Sequence, residues 1–202
     1  MAIEVGSTIP MTARVGYHGG GSNFWTVNDE VFQKYEIETC DAMFKNQRVV
    51  LFSLPGAFTP VCTSKQLPEF EEKFSELTAA GVEDVYCISV NDPYVMGAWE
   101  ELMDIKNVKL LADVDGTITE SLGMMVDKTI DGMGKRSWRY AAVVNNGVVE
   151  QVFVEPGMMD NTDEDPYIAS TPSAVLLWLK SSSWITIMLY NYSWWYFLEP
   201  WY

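Results

Sequence analysis

Arg48-Val-Val-Leu-Phe-Ser-Leu54 is an apolar run that passes directly into the turn cluster Pro55-Gly-Ala-Phe-Thr-Pro60. This junction constrains the fold more than any other stretch of the chain. An apolar run of that length without polar alternation is the signature of a buried strand. Over residues 61–79, Leu67, Phe70, Phe74 and Leu77 recur at three- and four-residue spacings, which predicts an amphipathic helix. Pro60 fits its first turn, where a missing N–H costs nothing.

The same alternation continues downstream. Val85-Tyr-Cys-Ile-Ser-Val90 reads as a second strand, closed by Asn91-Asp92-Pro93, and residues 94–103 read as a helix. Val108–Ala112 reads as a third strand before the Asp113-Val-Asp-Gly116 turn, and Ile118–Met125 as a short helix. Trp138–Val144 and Val148–Val154, joined by Asn145-Asn146-Gly147, form the clearest hairpin. Ser173–Lys180 reads as a final helix. Residues 11–47 are less legible: His18-Gly-Gly-Gly-Ser22 reads as a loop and Val31–Tyr35 as a short helix. Strands alternating with helices predict an α/β domain with a partly parallel sheet, to which the hairpin adds antiparallel edges.

Of the 202 residues, 48% are hydrophobic, which suits one globular domain with a sizeable core. Lys and Arg number 13 and Asp and Glu 28, giving a formal charge of −15. Such a field repels phosphate backbones and anionic lipid, so nucleic-acid binding and electrostatic membrane binding are not expected. The N-terminus shows neither a basic segment nor an apolar one of the secretory kind, and a reducing cytoplasm is the expected location. The composition breaks near residue 181. Trp178, Trp184, Trp194, Trp195 and Trp201 fall close together, against 8 tryptophans in the whole chain. The expected division is a domain over 1–180 and an aromatic tail over 181–202, too often interrupted by Asn191, Ser193 and Glu199 for a convincing spanning helix.

Three cysteines, Cys40, Cys62 and Cys87, are too few and too widely spaced for a disulfide scaffold or a Cys-x-x-Cys zinc site. Cys62 sits just past the strand-to-helix turn. Free N–H groups and partial positive charge at a helix start stabilise a thiolate, the nucleophilic form of cysteine. Moving a thiol from about 8.5 to about 6 takes roughly 3.4 kcal/mol, whereas a helix terminus supplies about 0.3–1 and at most about 2. A fixed cation is needed, and an arginine in contact contributes roughly 4 kcal/mol at a moderate effective dielectric. Lys135-Arg-Ser-Trp-Arg139 offers two candidates. Arg136 lies in a polar lead-in and is expected in solvent. Arg139 lies inside an apolar strand on the face of Ala141 and Val143, needs a partner there, and is assigned to Cys62. Cys87 alternates into a strand as a core residue, Cys40 has carboxylates beside it that disfavour a thiolate, and His18 is expected in solvent.

Pro55-x-x-x-Thr59-x-x-Cys62 resembles the signature of the peroxiredoxins, thiol peroxidases on a thioredoxin-like fold. The string Phe52–Cys62, with Ser89-Val-Asn-Asp92, Met96-Gly-Ala-Trp99 and Arg136-Ser-Trp-Arg-Tyr140, is similar to the peroxiredoxin-5 (type II) branch. The last of these, with Val148-Val-Glu and Glu155-Pro156, is similar to the peroxiredoxin half of bacterial peroxiredoxin–glutaredoxin fusions, and the likeness spans about residues 1–180. The resemblance implies a thioredoxin-like fold with a central mixed sheet flanked by helices, and a peroxidase that uses no metal, haem or other cofactor. It implies Cys62 as the peroxidatic cysteine, Thr59 as a hydroxyl donor to the attacked peroxide, Arg139 as the cation on thiolate and peroxide, and Pro55 as a shield. It also implies a homodimer.

The chain departs from some relatives in having no cysteine after Cys87; Asp165-Pro-Tyr-Ile-Ala-Ser170 fills the region of a resolving cysteine, and no glutaredoxin segment follows. The expectation is a one-cysteine mechanism acting on hydrogen peroxide and organic hydroperoxides, resolved by an external thiol, either glutathione with glutaredoxin or thioredoxin. The rival expectation is a redox-sensing or holdase-like module whose Cys62 is oxidised without turnover. A thiol-disulfide oxidoreductase wants a Cys-x-x-Cys pair, and Thr59 stands where its first sulfur would be.

Overall fold

A computed structural model describes residues 1–17, 24–27, 30–33 and 35–182, with 24–27 and 30–33 as backbone. The seven strands of the main sheet are β1 (Arg14–Tyr17), β4 (Glu36–Thr39), β5 (Arg48–Ser53), β6 (Asp84–Ser89), β7 (Lys109–Ala112), β10 (Tyr140–Asn145) and β11 (Val148–Val154). Two further pairs lie outside it: β2 (Phe24–Val27) with β3 (Glu30–Gln33), and β8 (Met125–Lys128) with β9 (Gly134–Ser137). The order across the main sheet is β11-β10-β5-β6-β7-β1-β4. β5, β6 and β7 run parallel, and every other neighbour pair is antiparallel. The helices are α1 (Cys40–Phe44), α2 (Leu67–Ala79), α3 (Pro93–Leu102), α4 (Thr117–Ser121) and α5 over 172–182. This is the thioredoxin-like mixed sheet flanked by helices.

Period two along the central strands divides the core into two layers. Val50 and Phe52 of β5, Val85 and Cys87 of β6, and Ala141 and Val143 of β10 face one way, under Leu67, Phe70 and Leu77 of α2, Trp99 of α3 and Val175 of α5. Val49, Leu51, Tyr86, Ile88, Ala142 and Val144 face the other, against Phe44 of α1 and Ile118 of α4. Strands buried on both faces read as continuous apolar runs, which is why β5, β6 and β10 are conspicuous in the sequence. The β10–β11 turn is two residues long, with Asn146 at φ 48° and Gly147 at φ 77°. Both angles are those of a type I′ turn, whose twist matches a hairpin.

Four expectations need correction. Val31–Tyr35 is not helical: Glu30–Gln33 forms β3, in line with the strand preference of Val31 and Phe32. The helix expected over Ile118–Met125 ends at Ser121, because Gly123 at φ 64° turns the chain and Met125 opens β8. The hairpin strand begins at Tyr140, not Trp138. Trp138 and Arg139 bridge β9 and β10; Arg139 still accepts the Glu155 N–H (3.1 Å), but the bonds of Trp138 leave the ladder. Trp138 donates its N–H to the Met124 carbonyl (2.8 Å) and its indole Nε1–H to the Glu155 carbonyl (2.8 Å). The final helix runs to residue 182, two past its expected end. The loop assigned to His18–Ser22 and the aromatic residues 183–202 lie outside the described residues.

Phe52 of β5 and Phe70 of α2 stack at 3.9 Å between ring centroids and 6° between planes, directly beneath the strand-to-helix turn. Truncating Phe70→Ala leaves a cavity there and is expected to lower unfolding stability by about 3–5 kcal/mol. A shift of the urea midpoint to lower concentration at unchanged slope checks it; an unmoved midpoint rejects the packing role.

Candidate active site

The turn after β5 is held from three sides. The Thr59 hydroxyl donates to the Gly56 carbonyl (2.8 Å), the Ala57 N–H donates to Asn91 Oδ1 (3.1 Å), and Ser89 Oγ donates to the same Asn91 oxygen (2.8 Å). Arg136 bonds the Met133 carbonyl through Nε (2.9 Å) and the Val90 carbonyl through a terminal nitrogen (2.5 Å). Arg136 is therefore not the solvated side chain expected; it clamps the neighbouring β6–α3 turn, and burial lowers its pKa. These ties hold Phe58 at φ 63°, an uncommon conformation for a side chain of its size that costs about 1–3 kcal/mol. Its ring, 49% exposed, tilts against Trp99 at 6.4 Å between centroids.

The helix starts at residue 60 and passes through one π turn, Cys62–Gln66, before α2. Pro68 accounts for the wide turn. A proline there cannot donate to the carbonyl four residues back and its ring crowds that carbonyl, so the ladder loosens, and Leu67 N–H reaches the Cys62 carbonyl instead. Cys62 stands in the first helical turn, where backbone N–H groups have no carbonyl within the helix.

Arg139 arrives from across the sheet, one residue before β10, on the face that carries Ala141, Val143 and Cys62. It is 1% exposed. One terminal nitrogen lies 3.5 Å from Cys62 Sγ and also donates to Gln66 Oε1; the other pairs with Asp165 Oδ1. The Gln66 amide is oriented by its Nε2–H bond to the Ser53 carbonyl (3.2 Å). The Tyr167 ring lies 5.8 Å from the guanidinium carbon, and its hydroxyl donates to Glu69 Oε2 (2.8 Å). Burial works against the guanidinium charge, and the pairing with Cys62 and Asp165 more than offsets it, so the pKa of Arg139 rises.

Of the expected residues, Cys62 and Arg139 are in direct contact, Thr59 lies just before the helix with its hydroxyl on Gly56, and Pro55 is buried at the base of the turn. Cys40 and Cys87 are buried packing residues. Burial, with Asp113 adding to it, pushes Cys40 up to about 12. Burial, followed by Cys62, pushes Cys87 upward, with Arg139 opposing. Gln66, Asp165, Tyr167 and Asn91 escaped the sequence reading. Gln66 was within reach of it, standing four residues beyond Cys62 on one helix face; Asp165 carries no local signal. Among the described residues no group of three or more His, Cys, Asp or Glu is placed to hold a metal ion.

A buried cysteine at a helix start, backed by an arginine from across a thioredoxin-like sheet, defines a protein of thiol chemistry, and residues 32–167 match the redoxin family. A peroxiredoxin of Rhizobium etli is 50% identical over 152 residues, covering 75% of this chain and 85% of that protein. The hybrid peroxiredoxin hyPrx5 of Haemophilus influenzae is 44% identical over 141 residues, 70% of this chain and 57% of that protein. The solved Plasmodium falciparum antioxidant protein, described as a 1-Cys peroxiredoxin, superposes with a TM-score of 0.78 at 34% identity, over 89% of this chain and 99% of its own. The chain belongs to the peroxiredoxin family, in its peroxiredoxin-5 (type II) branch.

The strap that delivers Asp165 and Tyr167 hangs on Glu155. This buried carboxylate accepts the N–H groups of Ile168 (3.0 Å), Ala169 (2.9 Å) and Ser170 (2.7 Å) and the Ser170 hydroxyl (2.7 Å). Burial pushes its pKa up, but these bonds together push it down further, and it ends below the ordinary glutamate range. Glu155→Ala leaves buried donors unpaired and is expected to cost about 3 kcal/mol near neutral pH. A lowered native pKa stabilises the fold fully above the unfolded value of about 4.3, and that contribution is lost as pH falls through the native one. Urea unfolding of both proteins should therefore show a gap that narrows below about pH 4; a gap constant with pH rejects the assignment.

Proposed function

We propose that this chain, a thiol-dependent peroxidase by family, uses Cys62 as its peroxidatic cysteine and works by a one-cysteine mechanism. The observation that carries this reading is the Arg139 nitrogen 3.5 Å from Cys62 Sγ at the start of a helix. The thiolate attacks one oxygen of the peroxide. An S–O bond forms, the O–O bond breaks, and the leaving oxygen departs as water or alcohol after taking up a proton. Developing charge on that oxygen meets donors already in place, the Arg139 fork and the N–H groups of the first helical turn. Thr59 supplies a third when its hydroxyl turns from the Gly56 carbonyl to the substrate, and Pro55 keeps water from the sulfenic acid. One external thiol then condenses with the sulfenic acid, releasing water and leaving a mixed disulfide. A second thiol reduces that disulfide and regenerates Cys62.

The placement of the other thiols supports external resolution. Cys40 lies in the opposite core layer, across the sheet, and Cys87 lies in the middle of β6; both are 0% exposed. Three free cysteines accord with a reducing cytoplasm, and among the described residues no helix is long and apolar enough to cross a membrane. Half-exposed Phe58 beside the turn accords with the homodimer that the branch implies. The domain of residues 1–180 is read as the catalytic unit, without need of 181–202.

The rival, a sensor oxidised without turnover, draws on one observation: Cys62 is itself 0% exposed. Steady-state assays with glutathione and glutaredoxin, and separately with thioredoxin and its reductase, distinguish the two. Continuous peroxide consumption with either donor is expected, and a single oxidation equivalent per chain establishes the sensor. Cys62→Ser is expected to abolish turnover, while Cys40→Ser, Cys87→Ser and removal of residues 182–202 retain most of it. Loss of turnover in either other cysteine variant overturns the one-cysteine reading.

A further inference from the structure

The Arg139 fork has two ends with different tenants. Its inner nitrogen serves Cys62 and Gln66, its outer nitrogen pairs with Asp165, and Nε has no partner among the described residues. The Asp165 side chain is 36% exposed, at the rim of an otherwise buried cluster. We propose that Asp165 is a positioning residue that holds the outer end of the Arg139 fork and takes up part of its charge, thereby setting the pH at which the Cys62 sulfur ionises. This rests on Cys62 being the reacting thiol and deepens that reading.

The strap is built to present this carboxylate. Pro166 restricts Asp165 to extended backbone. Tyr167 lays its ring by the guanidinium and ties its hydroxyl to Glu69 of α2, and Ile168–Ser170 hang on Glu155. A guanidinium buried to this degree needs an anion, and before Cys62 loses its proton Asp165 is the carboxylate paired with it. When the thiol ionises, two negative groups share one cation. Like charges at one site oppose ionisation of the second, by a unit or more when both are buried. Partial exposure of Asp165 screens that effect.

The titratable groups facing the pair from other elements are Cys87 of β6, Tyr167 of the strap, Glu155 beyond β11 and Glu69 of α2. Burial pushes Cys87 and Tyr167 upward, and Glu155 stays below its ordinary range. None of these three changes charge with Asp165 near neutral pH.

The test is a pH titration of thiolate ultraviolet absorbance on the whole protein without peroxide, joined to the pH profile of its stopped-flow rate with hydrogen peroxide. Asp165→Asn is expected to move both midpoints to lower pH by about one unit, a tenfold rise in the thiolate-to-thiol ratio below the midpoint. Asp165→Glu should restore the wild-type midpoint, and Asp165→Ser serves if the asparagine variant does not fold. In an Arg139→Gln background, which removes the group that holds Asp165 at the site, Asp165→Asn should produce a smaller shift. An unmoved midpoint shows a purely structural strap, and an upward shift shows that Asp165 only aims the arginine; either overturns the proposal. Because the titration uses no peroxide, its failure is distinct from failure of the peroxidase reading, which the turnover assay decides.

Discussion

A guanidinium that is 1% exposed is the constraint around which this molecule is arranged. Burying an unpaired cation costs several kcal/mol, so Arg139 settles only where anions and acceptors surround it. Its three partners come from separate parts of the chain: Cys62 and Gln66 from the turn into α2, and Asp165 from the strap beyond β11. Neither of these two segments is near Arg139, or near the other, in sequence. The sheet order brings them together, since β10 lies beside β5 and the strap returns past β11 to α5. Folding the sheet and assembling the site are therefore one event. A register slip of one residue in β10 would turn Arg139 to the opposite core layer and leave the cation without its thiol.

Much of this was legible in the residues. Val49–Leu54 and Tyr140–Val144 announce themselves because both faces are buried, and Asn146-Gly147 because its left-handed angles suit few other residues. The pairing of Cys62 with Arg139 follows from two shortages: a thiolate lacking a cation, and an arginine in an apolar segment lacking an anion. What escaped was set by tertiary contact. Asp165 sits in an acidic stretch that reads as solvated surface, and nothing local distinguishes it from Asp163 or Glu164. Arg136 looks solvated because its acceptors are backbone carbonyls, which every residue possesses. The π turn has a cause visible in Pro68, but a helical spacing is too coarse to show it.

Exposure does not single out a reactive thiol here, since Cys40, Cys62 and Cys87 are all 0% exposed. What separates them is charge and backbone. Cys40 has the carboxylate of Asp113 among its neighbours, which adds to burial in pushing its pKa up. Cys87 lies mid-strand, its amide engaged in the parallel ladder, and feels Arg139 only at a distance. Cys62 alone combines a first helical turn with a guanidinium at hydrogen-bonding range. A burial argument by itself would rank the three alike, so the electrostatic one has to decide.

With Cys62 as the proposed reacting thiol, its burial becomes part of the chemistry. A site closed to water strengthens every interaction between sulfur, arginine and helix dipole, but it excludes the oxidant too. The 55–60 turn that precedes Cys62 is not uniformly held. Gly56 and Ala57 are tied to the body through Thr59 and Asn91, whereas Phe58 stores backbone strain and keeps half its ring in solvent. Strain and exposure therefore coincide at Phe58, next to the hydroxyl proposed to meet the peroxide.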